Sequence, residues 1–117
     1  MKKKQIIVGI DVSKSTLDVF VRDAAFHFIV SNNTIGFAEL LETICKVSKC
    51  KPGEILFCFE NTGKYSKMLS VFLHSQGLTF FMEPALAIKR SLGITRGKND
   101  KVDAKRIAEY AYEKNTN

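Results

Sequence analysis

A chain of 117 residues, 45% hydrophobic and 26% charged, has the length of one domain and apolar material for a modest core. No apolar run approaches the ~20 residues that span a bilayer, and the stretch after Met1-Lys2-Lys3-Lys4 is too short for a signal peptide, so a cytoplasmic protein is expected. The net charge of +6 is uneven: residues 1–60 carry eight Lys/Arg against seven Asp/Glu, residues 61–117 ten against five, and the basic half suggests a polyanion partner.

Gln5 to Ile10 is a near-continuous apolar run that ends at Asp11, as in a strand covered on both faces. Thr16 to Arg22 alternates Leu17, Val19 and Val21 against Asp18, Phe20 and Arg22, and Phe26 to Val30 repeats the strand composition. The three runs predict consecutive antiparallel strands, the first two joined by a Val12-Ser13-Lys14-Ser15 turn. Asn32-Asn33-Thr34 is a helix-start signal. Phe37, Leu40, Leu41, Ile44 and Val47 then recur at helical spacing until Lys51-Pro52-Gly53. Ile55 to Phe59 is a second apolar strand that ends at Glu60. Tyr65, Met68, Leu69, Phe72 and Leu73 mark a second helix, closed by Gly77, and Leu78 to Met82 gives a fifth strand. Pro84 can open a short helix through Leu92, followed by a glycine-punctuated loop over 93–99. Asp100 is expected to begin the last helix, with Val102, Ile107, Ala108 and Ala111 as its apolar face and a frayed end from Glu113. Cys45, Cys50 and Cys58 are odd in number without a Cys-x-x-Cys pair, so reduced, mostly buried thiols are expected.

Three strands, helix, strand, helix, strand, helix, helix is an α/β order. It predicts a mixed five-stranded sheet with helices on both faces, the ribonuclease H-like arrangement. A flavodoxin-like fold needs helices between the early strands, and residues 12–30 offer none.

Four acids carry the chemistry. In a ribonuclease H-like sheet the first and fourth strands are parallel neighbours, which sets Asp11 and Glu60 about 5 Å apart in the pairing direction. Asp100 and Asp103, at i and i+3, can share one helix face. Such a cluster repels itself unless Mg²⁺ or Mn²⁺ resolves the conflict, because hard divalent cations prefer carboxylate oxygens. Two ions about 4 Å apart suit phosphodiester chemistry. Each acid also has an ordinary role open to it. Asp100 can cap a helix with Asp103 in its first turn, Glu60 can be a solvated strand end ahead of a Thr62 cap, and Asp11 can bond Ser13 or Ser15. Asp18 is expected to be merely solvated. Lys14, Lys64, Arg90, Arg96, Lys98, Lys101, Lys105 and Arg106 can hold phosphates beside the acids, or simply solvate their faces. Tyr65 and Phe37 fit packing roles.

Gly9-Ile10-Asp11-Val12-Ser13-Lys14, Glu60-Asn61-Thr62-Gly63 and Lys98-Asn99-Asp100-Lys101-Val102-Asp103-Ala104 together resemble the N-terminal domain of DEDD-type transposases of the insertion sequence 110 family. That domain is similar to the Holliday-junction resolvase (RuvC-like) branch of the ribonuclease H fold. The resemblance runs from Ile6 to Ala111 and is most specific in its last motif; Asn61 and Asn99 stand where Ala and Thr are more usual. It implies that Asp11, Glu60, Asp100 and Asp103 are catalytic metal ligands in DNA cleavage and strand exchange. It further implies a structured guide RNA, homo-oligomeric assembly, and a separate C-terminal serine-bearing domain outside residues 1–117, without which the fragment is expected to be inactive. Two rivals stand beside it. One is a non-catalytic RNA- or DNA-binding or dimerisation module. The other is an actin- or sugar-kinase-like ATPase half-domain, whose first phosphate loop Asp11-Val12-Ser13-Lys14-Ser15-Thr16 resembles. The last helix, behind its basic loop, is expected to be only loosely positioned.

Overall fold

The computed structural model describes residues 5–84, 87–89 and 103–116. Strands β1 (Ile6–Val12), β2 (Thr16–Val21) and β3 (Phe26–Ser31) form the expected antiparallel meander. Helix α1 (Thr34–Ser48), strand β4 (Ile55–Glu60), helix α2 (Lys64–Ser75) and strand β5 (Thr79–Glu83) follow, and helix α3 (Ala104–Thr116) ends the fold. The sheet order is β3-β2-β1-β4-β5, with β1, β4 and β5 parallel. This is the ribonuclease H-like, mixed five-stranded sheet that the element order predicts. Ala87–Lys89 are helical, in keeping with a turn opened at Pro84, whose carbonyl accepts from the Ala87 amide at 3.0 Å. The remainder of that helix, the 93–99 loop and Val102 lie outside the described residues. No described helix is long and apolar enough to cross a membrane.

Side-chain parity divides the core in two. Ile6, Val8, Ile10 and Val12 of β1 share one face with Leu17, Val19 and Val21 of β2 and with Ile55, Phe57 and Phe59 of β4. Phe37, Leu40 and Ile44 of α1 and Leu69 and Leu73 of α2 seal that face. Each large side chain buried there contributes roughly 1.5–3 kcal/mol. The opposite face presents Ile7, Leu56 and Cys58 to Ile107, Ala108, Tyr110 and Ala111 of α3. Helices therefore cover both faces. Asp11, Asp18 and Glu60 fall on the α3 face by the same alternation.

The β1–β2 turn and the C-terminal end differ from the sequence expectation. Val12 belongs to β1, paired with Leu17, so the turn is shorter. Within it the Ser13 hydroxyl donates to the Thr16 carbonyl at 2.9 Å. The C-terminal end does not fray at Glu113. Lys114 donates to Glu83 of β5, and Asn115 Nδ2 donates to Gln5 Oε1 at 2.6 Å, holding helix to Thr116.

Candidate metal centre and its groove

The position of α3 starts from a residue with no side chain. A Cβ on Gly9 would lie 2.2 Å from the Ala104 carbonyl oxygen and 2.4 Å from the Ala108 nitrogen. The helix backbone thus rests directly on the β1 backbone, and Ala104, Ala108 and Ala111 supply the small-residue stripe that permits it. Polar contacts fasten the rest. Arg22 Nε donates to Glu109 Oε2 at 2.9 Å, and the Arg22 guanidinium lies 3.5 Å over the Tyr112 ring. Tyr110 donates its hydroxyl to Glu83 Oε1 at 3.2 Å. The last helix is therefore seated firmly, not loosely.

This seat fixes Asp103. Its Oδ1 accepts from the Arg106 amide at 2.9 Å and its carbonyl accepts from the Ile107 amide at 3.0 Å, the geometry of an N-cap worth about 1 kcal/mol. Asp103 thus precedes the helix, whose first residue is Ala104, instead of lying one turn inside a helix begun at Asp100. Asp100 itself lies outside the described residues, as do Arg90, Arg96, Lys98 and Lys101.

Asp11 and Glu60 come together as the parallel pairing requires. The register Ile10↔Phe59 continues one step to set Asp11 beside Glu60 at the same ends of β1 and β4. On its other side Asp11 is paired with Asp18 of β2, and Glu60 is paired with Glu83 of β5. Four carboxylates therefore form a row across the sheet. Glu83 is neutralised by Lys114, and Asp18 Oδ1 is 3.1 Å from His27 Nε2.

Two adjoining cavities meet at Asp11. One, of about 210 Å³, is lined by Asp11, Glu60, Thr62 and Lys89. The other, of about 470 Å³, is lined by Asp11, Asp18, Phe20, His27, Asp103 and Lys105. Asp11 thus shares one space with Glu60 and the other with Asp103. Among the described residues, no three His, Cys, Asp or Glu side chains are gathered closely enough to hold a metal ion. The donor chemistry nevertheless suits one. Carboxylate oxygens at two strand ends and a helix cap are the hard ligands that Mg²⁺ or Mn²⁺ takes.

Of the basic residues expected to touch nucleic acid, Lys105 lines the larger cavity, and the exposed Arg106 follows it on α3. Lys14 is exposed in the β1–β2 turn and Lys64 begins α2. The residue before Lys64 is Gly63, at φ +68°, which favours glycine. The Thr62 side chain does not cap α2; instead Asn61 Oδ1 accepts from the Gly63 amide at 3.0 Å. Phe37 is buried as expected. Tyr65 is not a core residue: it is 36% exposed, with Lys64 Nζ 5.6 Å from its ring centroid.

Asp18, Phe20, His27 and Lys89 line the cavities without being among the site residues expected from sequence. For Asp18 a signal was present, because a short turn after Val12 sets Asp18 opposite Asp11. For His27 the β2–β3 pairing sets it opposite Phe20, whereas Lys89 reaches its cavity only through tertiary packing.

Cys58 lies fully buried under α3. Burial first, then the nearby Glu83 carboxylate, pushes its thiol from 9.0 up to about 12. Below pH 9 the thiol is protonated in both folded and unfolded chains. Above it the unfolded thiol ionises while the folded one keeps its proton, so this contribution to stability is lost as pH rises toward 12. Urea midpoints measured from neutral pH upward should therefore fall less steeply in Cys58→Ala than in the unsubstituted chain. Parallel curves would contradict this.

Comparison with protein families gives one finding. Residues 8–117 match the profile of the DEDD-type, insertion sequence 110 group, described as a transposase. A search of curated proteins gave no match.

Proposed function

The chain belongs to the DEDD-type insertion sequence 110 family of transposases, and from that premise we propose that it is the catalytic N-terminal domain, with Asp11, Glu60, Asp100 and Asp103 as the acids that hold its divalent metal. Transposases act on DNA, and DEDD-type transposases use divalent ions. The finer assignment draws its support from one observation: Asp11 is common to two adjoining cavities, one shared with Glu60 and the other with Asp103.

The bound ions, two of Mg²⁺ or Mn²⁺, would supply charge neutralisation and activation of an attacking oxygen at a phosphodiester. The chain's own residues do the rest. Asp11 and Glu60 are fixed by the parallel strand ends, so their spacing is preset before any ligand arrives. Asp103 is held by its cap bond and by the close seat of α3 on Gly9. Lys105 and Arg106 next to it, with Lys14 in the β1–β2 turn, Lys64 at the start of α2 and Arg90, Arg96, Lys98 and Lys101 in the intervening segment, attract the DNA backbone and steer it to the acids. A structured guide RNA, assembly of several copies and a separate serine-bearing domain that completes the reaction belong to the same proposal.

Calorimetric titration of Mg²⁺ and Mn²⁺ tests the site. The unsubstituted chain should bind the ions, and an Asp11→Ala/Asp103→Ala variant should lose that heat while keeping its fold. Equal binding by both chains would sink the assignment.

A further inference from the structure

The larger cavity extends past Asp11 over β2 and β3, beside the start of α3. Asp18, Phe20 and His27 form its floor, and Asp103, Ala104 and Lys105, at the start of α3, form its wall. Its volume of about 470 Å³ lies within the roughly 300–1,000 Å³ of small-molecule clefts. His27, in its lining, and Ile29, two residues on in β3, are exposed, so a bound chain could continue past them.

We propose that this groove seats the base of a nucleotide adjoining the phosphate at the acids, and that Asp18 selects a base bearing an exocyclic amine. The proposal rests on the DNA-cleavage function given above. Three carboxylates, Asp11, Asp18 and Asp103, and one lysine line the groove, so a phosphate without a metal ion beside it would be repelled where a neutral base is not. Ions at Asp11 and Asp103 would hold the phosphate at the inner end and leave Asp18 as the charged group farther out. The partly buried Phe20 ring offers an apolar surface for a flat base.

A carboxylate only accepts hydrogen bonds, so the base edge that meets it must donate. Cytosine presents its amine to such an acceptor. Thymine's one N–H is flanked by two carbonyl oxygens, which would oppose the carboxylate's lone pairs. His27 is the positioning residue: its Nε2, 3.1 Å from Asp18 Oδ1, fixes the carboxylate and leaves the second oxygen for the base.

The test uses fluorescence anisotropy of labelled dC, dT and abasic pentamers with the 117-residue chain in magnesium. Cytosine should bind on the order of tenfold tighter than thymine, as one hydrogen bond to a charged group allows, and the abasic pentamer weakest. Asp18→Asn should level dC and dT, and His27→Ala should reduce the preference without abolishing it. In the unsubstituted chain, the NMR signals of the Phe20 ring should shift with dC; this readout stands even if a variant misfolds. Equal binding of the three pentamers, or a preference that survives Asp18→Asn, would overturn the base site while leaving metal binding at the acids intact. Failure of every pentamer to bind would overturn it together with the DNA-cleavage function, whereas loss of metal heat is read separately by calorimetry.

Discussion

Gly9→Ala should destabilise the chain by about 3 kcal/mol or more, whereas Gly53→Ala should change stability by less than about 0.5 kcal/mol. The two substitutions add the same methyl group. At Gly53 nothing lies within 4 Å of the new atom. At Gly9 it meets the Ala104 oxygen at 2.2 Å, the Ala108 nitrogen at 2.4 Å and the Ala108 Cα at 2.9 Å. All three are backbone atoms, so no rotamer change relieves the clash, and α3 must lift off the sheet. Lifting it opens the small core of Ile7, Leu56, Cys58, Ile107 and Tyr110, and it moves the cap that holds Asp103. A domain of this size has only about 5–15 kcal/mol in hand, so such a loss is a large share. Urea unfolding with an unchanged slope would give the difference. Hydrogen exchange should show the lost protection concentrated at 107–111. If Gly9→Ala came within about 1 kcal/mol of Gly53→Ala, direct seating of α3 on β1 would be wrong.

The same contact shows what the sequence could and could not disclose. The apolar runs at Ile6–Ile10 and Ile55–Phe59 and the alternation of Leu17, Val19 and Val21 contain their own explanation, because strand parity is local. From them follow the sheet, its central parallel pair and the adjacency of Asp11 and Glu60. The seat of α3 is not local. Arg22 meets Glu109 across 87 positions, Asn115 meets Gln5 across 110, and Lys114 meets Glu83 across 31. Nothing in Glu113-Lys114-Asn115 announces those partners, so a frayed end is the natural expectation from sequence. Asp103 shows the same limit in a smaller way. The i, i+3 spacing from Asp100 suits a shared helix face, but the choice between a first-turn residue and a cap depends on where packing against Gly9 lets the helix begin. Asp18 is the opposite case. Its pairing with Asp11 follows from turn length alone, once Val12 is placed in the strand.

Asp11→Asn should separate stability from metal binding more sharply than any other substitution. Without divalent ions, Asp11 stands directly opposite Asp18 and one register step beyond the Ile10↔Phe59 pair, beside Glu60. Like charges placed opposite each other across strands cost roughly 0.2–1 kcal/mol. Asparagine keeps the shape and removes the charge, so the metal-free variant should stay within about 1 kcal/mol of the unsubstituted chain. With ions the two should part. A ligand that binds only the folded state stabilises it by about 2.7 kcal/mol at a hundred times its Kd. The unsubstituted chain should gain that much as Mg²⁺ or Mn²⁺ is raised, and Asp11→Asn should gain little, because it loses the ligand common to both cavities. Glu83→Gln is the control. Its carboxylate lies in the same row but is committed to Lys114 and Tyr110, so the variant should lose stability with and without ions while keeping the metal-dependent gain. Unfolding midpoints across a metal titration read all three chains. A metal-dependent gain retained by Asp11→Asn, or a metal-free variant several kcal/mol less stable than its parent, would make Asp11 a structural acid.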